Sequence, residues 1–365
     1  MRPTVMKVST EAIAHNARLF RAAIPEKVHM MCVIKADAYG HDSVATAKKL
    51  LGAGADAFAV AIVEEAEALR NAGIACPILI LGGAQESSLR QAVRCGASQA
   101  VYETWMLDVM QDEAARRGTR AKAHLKLDTG MSRIGVRDMD ALRAMLSHWK
   151  RCPDVAMEGA FTHFCVADTD PEFTEKQRAR FVRFLDAIYA AGHQPIAHAA
   201  ATSAMFRPEL QFDMVRPGIG LYGSCVPELA GRLRYAQTLL TKPIRIQRIA
   251  AGDTVGYGRT FTARRDSVIM TLPIGYGDGY PRILSNRACV LVKGRRALQV
   301  GRVCMDMLMV DVTDIPGVTL EDEVVLLGAQ GDAVITPDEL AELAETIPYE
   351  IMLGFSARVP VEIID

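Results

Sequence analysis

The chain lacks the features that would direct it to a membrane, a nucleic acid or a metal. No uninterrupted apolar stretch reaches the ~18 residues that cross a bilayer. Lys and Arg number 42 against 43 Asp and Glu, so a formal charge of -1 leaves no excess of one sign to attract a polyanion or an anionic surface. The eight cysteines run from Cys32 to Cys304 with no CxxC pair and no metal-ligand spacing, which suits reduced thiols better than a disulfide framework or a zinc site. HExxH is absent too. The amino terminus, MRPTVMKVSTEAIAHN, has neither the apolar core nor the cleavage-like site of a signal peptide. The expectation is a soluble, cytoplasmic enzyme with no metal, no nucleic-acid partner and no membrane partner.

What is present divides into two halves of different period. The 365 residues, half of them apolar, are enough for two domains. From about residue 28 to 217, short apolar runs (HMMCVIKAD, DAFAVA, PILILGG, SQAVYE, KAHLKLDTG, VAMEGAFTHF, PIAHAA, FDMVRPG) alternate with helix-period stretches such as SVATAKKLLGAG and VEEAEALRNAG. Eight strands alternating with helices over this length predict an α/β fold, an eight-stranded (β/α) TIM-type barrel, with a doubly wound open sheet as its rival. After Tyr235 the runs become β-rich and follow one another: KPIRIQRIA, SVIMTLPI, ACVLVKG, ALQVGRV, MLMVDV and EVVLLG. That predicts a mainly antiparallel β domain over residues 236–365 behind a barrel over 11–235, with residues 1–10 free to pack with the β domain. One late helix is signposted by Thr336 as cap, Pro337 in the first turn and Glu339 completing a capping box. GAGADA, residues 52–57, has the letters of a dinucleotide fingerprint but follows a helix and precedes a strand, the reverse of what pyrophosphate binding requires.

Polar clusters gather where barrel strands end, the face that carries catalysis in such folds. Lys35 follows the first strand, and a lysine in a partly desolvated pocket can deprotonate and condense with an aldehyde cofactor. Its position alone fits a solvated loop lysine better. The fifth strand brings Lys126, Asp128 and Arg133 to the rim, the sixth His163, and the seventh His198, Thr202 and Ser203. The eighth brings Arg216 and Gly218. Hydroxyls at Thr202 and Ser203 beside bare amides at Gly218 and Ile219 suit a phosphate. Core packing explains any one of these residues; it does not explain why all of them fall at one end.

VIKADAYGHD, LKLDTGMSRIG, EGAFTHF, DMVRPGIGLYG, VGYGRTF, LPIGYGDGY, VGRVCMD and TIPYE, in this order from residue 33 to 350, resemble the successive signatures of alanine racemases. The resemblance implies pyridoxal 5'-phosphate held covalently by Lys35. It places Tyr39, Thr202 or Ser203, Gly218 and Ile219 at the cofactor's phosphate. It sets Arg216 against the ring nitrogen with His163 behind it, and Arg133 at the phenolic oxygen and the substrate carboxylate. Lys126 matches a lysine that some members carry as a carbamate. Tyr257 becomes the second acid/base, with Met305, Asp306 and Tyr276 bordering the substrate. The family shares its sites across a homodimer, so Tyr257, Met305 and Asp306 would come from the other subunit. The implied activity is interconversion of L- and D-alanine, supplying D-alanine for peptidoglycan synthesis.

Two positions depart from the family pattern. Ala201 stands where asparagine is expected, and Ala357 where many members carry a tyrosine that narrows the entrance. Ala357 leaves open a racemase of broader or serine-directed specificity. A pyridoxal-phosphate-dependent decarboxylase of related architecture is the other alternative. Such decarboxylases call for an acidic residue at the ring nitrogen, and Arg216 argues against that reading.

Overall fold

The computed structural model describes residues 3–224 and 226–365. Strand β1 (Val5–Ser9) precedes eight parallel strands that close on themselves: β2 (His29–Val33), β3 (Ala57–Val60), β4 (Ile78–Ile80), β5 (Ser98–Val101), β6 (Ala121–Lys126), β7 (Val155–Phe161), β8 (Ile196–Ala201) and β9 (Met214–Arg216). Closure runs through β9 and β2, where His29 pairs with Met214 and Met30 with Val215. The open-sheet alternative is therefore excluded. GAGADA lies between the helix Ser43–Leu51 and β3, in the order that rules out a nucleotide fingerprint.

Some of the helices outside the barrel start where a short polar side chain replaces a missing intrahelical partner. Asp42, Asp138 and Asp170 accept from the amides of Ala45, Ala141 and Phe173, and Asp170 is followed by Pro171 at the first helical position. Apolar side chains at helical spacing, such as Phe181, Leu185 and Ile188 in Pro171–Ala190, are buried.

Beyond the barrel lies a mostly antiparallel sheet. Toward one edge of it, β10 (Gln237–Thr241) pairs with the strand Val324–Gln330 on one side and β1 on the other. β1 also pairs, in parallel, with the last strand, Val361–Ile364. The chain's first and last strands thus lie side by side. One hydrophobic cluster runs continuously through barrel and sheet, and Val255, Ile269 and Val300 form a small second one. The late helix spans Pro337–Leu343, and Thr336 Oγ1 accepts from the Glu339 amide at 3.0 Å. The expected capping box is only half made, because the Glu339 carboxylate grips Arg296 instead.

Directly after β2 the backbone does something the letters do not advertise. Ala36, Asp37, Ala38 and Tyr39 all take φ between 50° and 57° with ψ between 38° and 53°, a full left-handed turn built without glycine. Such a conformation brings Cβ against the next carbonyl and costs about 1–2 kcal/mol per residue. Surrounding contacts hold it. The Glu65 carboxylate accepts from the Ala36 amide, and Asp37 accepts from Ser43 N at 2.7 Å. Ala38 and Tyr39 are buried, and the Tyr39 ring packs 4.9 Å from Tyr222 and 5.7 Å from Tyr349. Past the turn Tyr39 is buried with its hydroxyl beside Gly218, while Lys35 before it stays partly exposed.

Ala36 is exposed, so its substitution isolates the backbone effect. Ala→Gly in an ordinary helix loses roughly 0.5–1 kcal/mol. Here Ala36→Gly is expected to be neutral or to gain up to about 1 kcal/mol, and Ala36→Val to lose more than about 1 kcal/mol. Urea midpoints at constant m read both changes; an ordinary helical loss for Ala36→Gly would contradict the left-handed turn.

Candidate active site

The ends of the barrel strands form a mouth crowded with basic groups. Lys35 stands at the end of β2, and burial, then repulsion from Arg133, lowers its pKa, with Glu65 opposing. Lys126, the last residue of β6, is 4% exposed, and its Nζ donates to the Leu127 carbonyl at 2.9 Å. Burial, with repulsion from Arg216, brings its pKa down to about 7, so near neutrality much of it is an uncharged amine. His163, two residues past β7, is lowered to about 3 by burial and then by Arg216, Arg133, Lys126 and Lys35. It is a neutral imidazole among four basic groups.

Arg216 ends β9 and is 3% exposed. Its Nη2 donates to the carbonyls of Thr162 and Ala199, both at 2.9 Å, and lies 3.4 Å from His163 Nδ1. Its Nη1 lies 2.8 Å from His198 Nδ1. The Phe161 ring lies beneath both basic groups, 5.5 Å from the Arg216 guanidinium carbon and 5.3 Å from Lys126 Nζ. Burial lowers the Arg216 pKa to about 9. Asp128, two residues beyond Lys126, is held by other partners although its charge still acts on Lys126. Burial would raise its pKa, but amide hydrogen bonds from Ser132 and Gly130, both 3.0 Å, outweigh that and lower it. Asp128 also faces Arg137 at 3.5 Å.

A second group of polar atoms converges beside this one. Thr202 opens a short 3-10 turn after β8, with Ser203 exposed next to it. Gly218 caps another such turn, Ile219–Tyr222, after β9. The Gly218 amide is not bare, as its sequence context implied, but donates to Thr202 Oγ1 at 2.9 Å. A Cβ on Gly218 would lie 3.1 Å from the Tyr39 hydroxyl, so glycine keeps a small concavity open between Tyr39 and the β9 turn.

The structure brings together Lys35, Tyr39, Lys126, His163, Thr202, Arg216, Gly218 and Ile219, with the charge of Arg133 felt by Lys35, Lys126 and His163. A further sequence expectation needs correction. His198 is not at the rim: it lies inside β8, fully buried behind Arg216. His124 and Glu158, joined to His198 by hydrogen bonds, went unread as members of the site. Alternation along β6 marks His124 as an inward side chain, whereas nothing in VAMEGAF singles out Glu158.

The remaining residues lie in the β domain. Tyr257 is 71% exposed on the turn Tyr257–Arg259 and has no hydrogen-bond or ring partner among the described residues. Tyr276 and Met305 are exposed near each other, since Tyr276 N donates to Cys304 O and Gly277 N to Met305 O. Asp306 is paired with Arg358 at 2.8 Å. This face is open in the single chain.

Family models for the N-terminal domain and the C-terminal domain of alanine racemase match residues 8–226 and 236–363. The chain belongs to the alanine racemase family. Alanine racemase 2 of Caldanaerobacter subterraneus is 40% identical over 99% of this chain and 94% of its own length. The alanine racemase of Symbiobacterium thermophilum is 42% identical over 99% of this chain and 97% of its own. Among solved structures, the Bacillus anthracis alanine racemase with bound L-Ala-P superposes at a TM-score of 0.92, with 35% identity and coverage of 100% and 96%. The Streptomyces lavendulae alanine racemase superposes at 0.94, with 31% identity and coverage of 100% and 98%. The barrel-plus-sheet architecture is thus that of the alanine racemases.

The buried Lys126 makes stability depend on pH. Unfolded, a lysine titrates near its ordinary 10.5; folded, this one titrates near 7. Between those values the unfolded chain holds the extra proton, so this group favours folding increasingly as pH rises from 7. In carbon-dioxide-free buffer, Lys126→Met should erase that slope. The wild type should gain about 2 kcal/mol on the variant between pH 7 and pH 9 in urea titrations. Parallel pH profiles would contradict the buried, depressed lysine.

Proposed function

We propose that the protein is a pyridoxal-phosphate-dependent alanine racemase, an isomerase that works by two bases on opposite faces of alanine. The observation that carries this reading is the set of basic groups at the barrel mouth, which invites an anionic ligand. Lys35, Lys126, Arg133 and Arg216 surround His163, while the nearby Asp128 is held by backbone amides and Arg137.

The residues present fit the cofactor. The concavity that Gly218 leaves beside the Tyr39 hydroxyl, with Thr202 and Ser203 adjoining, suits a phosphate group. Lys35, its charged form disfavoured by burial and Arg133, suits an aldehyde partner. Ile219 would add an amide beside Gly218. When bound, the cofactor would supply the electron sink that accepts the pair left by the departing α-proton.

The protein's own groups would do the rest. Arg133 would bind the substrate carboxylate, and Arg216, fixed by two carbonyls and two imidazoles, would face the ring nitrogen as a cation that gives up its proton reluctantly. Lys35 Nζ would take or return a proton on one face, and the Tyr257 hydroxyl would do so on the other. Lys126, its pKa brought down to about 7 so that part of it is a free amine near neutrality, suits reaction with carbon dioxide to a carbamate that would hold Arg133. Met305, Asp306 and Tyr276 would border the substrate. The product would feed peptidoglycan synthesis in the cytoplasm; no helix among the described residues is long and apolar enough to cross a membrane. A second reading, selectivity widened toward serine, rests on Ala357, which is exposed and small where many members carry tyrosine.

Tyr257 and Lys35 lie in different domains of one chain, and Tyr257 projects from an open face. We infer that two copies pair so that each lends its Tyr257 to the other's barrel mouth. Lys35→Ala and Tyr257→Phe dimers should each be nearly inactive. Mixed under conditions of subunit exchange, they should recover roughly a quarter of wild-type racemisation, because half of the dimers hold one intact site. No recovery despite proven exchange would overturn the shared site.

A further inference from the structure

Behind Arg216 a line of hydrogen bonds runs through the barrel. His198 Nδ1 lies 2.8 Å from Arg216 Nη1, and His198 Nε2 lies 2.9 Å from His124 Nδ1. His124 Nε2 in turn lies 3.3 Å from Glu158 Oε2. Glu158 also accepts from Ser98 Oγ and faces Lys122 at 3.1 Å. Its end of the line opens on a cavity of about 320 Å³ lined by the first residues of several strands, among them His29, Ile78, Ser98 and Met214. The line therefore spans the barrel from the catalytic mouth to the opposite face. We propose that Glu158 is a positioning residue for Arg216, acting across the barrel through His124 and His198.

The chemistry of the two ends leaves one arrangement of hydrogens. A guanidinium only donates, so His198 Nδ1 must accept from Arg216. A neutral imidazole carries one N–H, so His198 Nε2 bears it and donates to His124 Nδ1. His124 Nε2 then bears its own hydrogen and donates to Glu158, and a carboxylate only accepts. Both imidazoles are buried and disfavour a second proton for that reason first. Glu158 is held ionised at about 2, chiefly by the His124 hydrogen bond.

The backbone is shaped for this line. Strand pairing slips between Ala123 and His124 on β6 and between His198 and Ala201 on β8, irregularities that re-aim side chains. Gly159 faces His124 so closely that a Cβ there would lie 2.2 Å from Nδ1. The Phe161 ring lies flat on His198, with centroids 4.8 Å apart and planes within 1°. Without an acceptor at Glu158, His124 is free to move its hydrogen to Nδ1. His198 then turns an N–H toward Arg216, and two donors face each other.

This inference rests on the reading of Arg216 as the group facing the cofactor ring, and the test separates the two. Neutron diffraction from the deuterated, cofactor-loaded protein should find deuterium on Nε2 of both His198 and His124 and none on their Nδ1 atoms. Deuterium on either Nδ1 overturns the proposal. Glu158→Leu, at matched cofactor content, should shift the cofactor's absorption and lower kcat roughly tenfold with KM within about twofold. Glu158→Gln keeps an acceptor for His124 and should restore most of both. Unchanged absorption and kcat in Glu158→Leu also overturn the proposal. Should that variant fail to fold, the wild-type hydrogen positions decide. A wild-type protein with the stated hydrogens but no racemisation would sink the functional reading and leave the line intact.

Discussion

Arg216 is a cation buried in the barrel mouth whose contacts are two carbonyl oxygens and two neutral imidazoles, with no carboxylate touching it. A buried charge without a contact ion is costly unless its hydrogen bonds are satisfied. Much of the surrounding geometry meets that condition. β7 and β8 end so that Thr162 and Ala199 turn carbonyls toward the guanidinium, and the Phe161 ring lies under both it and Lys126. Burial first, and then the same charge with Arg133, lowers the pKa of His163 and Lys126, so the fixed cation adds to what desolvation does to its neighbours. The mouth keeps positive charge to spare, which is what a phosphate and a carboxylate together would neutralise.

Strain concentrates at the same rim. The left-handed turn at Ala36–Tyr39 stores several contacts' worth of unfavourable backbone energy beside the lysine that matters most. It persists because Glu65, Asp37, Tyr222 and Tyr349 hold it from four sides. Gln237, at the start of the β domain, donates to Gly40 O at 3.2 Å and so ties the far end of the turn to the second domain. A right-handed turn there would carry Tyr39 away from Gly218, and the concavity between them would not form.

The barrel was legible because its strands are short apolar runs bounded by helical periodicity, and the rim residues because each polar cluster follows such a run. The β domain was legible only in outline. Residues 1–10 were open to packing with the β domain, but neither β1 nor β10 was legible as a strand, because their pairing depends on the far end of the chain: Met6 pairs at once with Leu239 and Val361. The left-handed turn is hidden too, since alanine, aspartate and tyrosine carry no preference for positive φ strong enough to announce it. His198 was read at the rim because a strand's end cannot be fixed by letter to better than a few residues. The irregular pairing beyond it moves Arg216, not His198, to the front. Glu158 was missed for a different reason: an acidic residue on a buried strand has meaning only once its partner, on another strand, is known.

The account stands or falls on what happens at the α-carbon of alanine. The cofactor-loaded protein, incubated with L-alanine in deuterium oxide, should bring the two enantiomers to equal amounts, with deuterium at Cα of the D-alanine formed. An enantiomer ratio that stays at its starting value, with carbon dioxide released or with alanine recovered unlabelled, would contradict it.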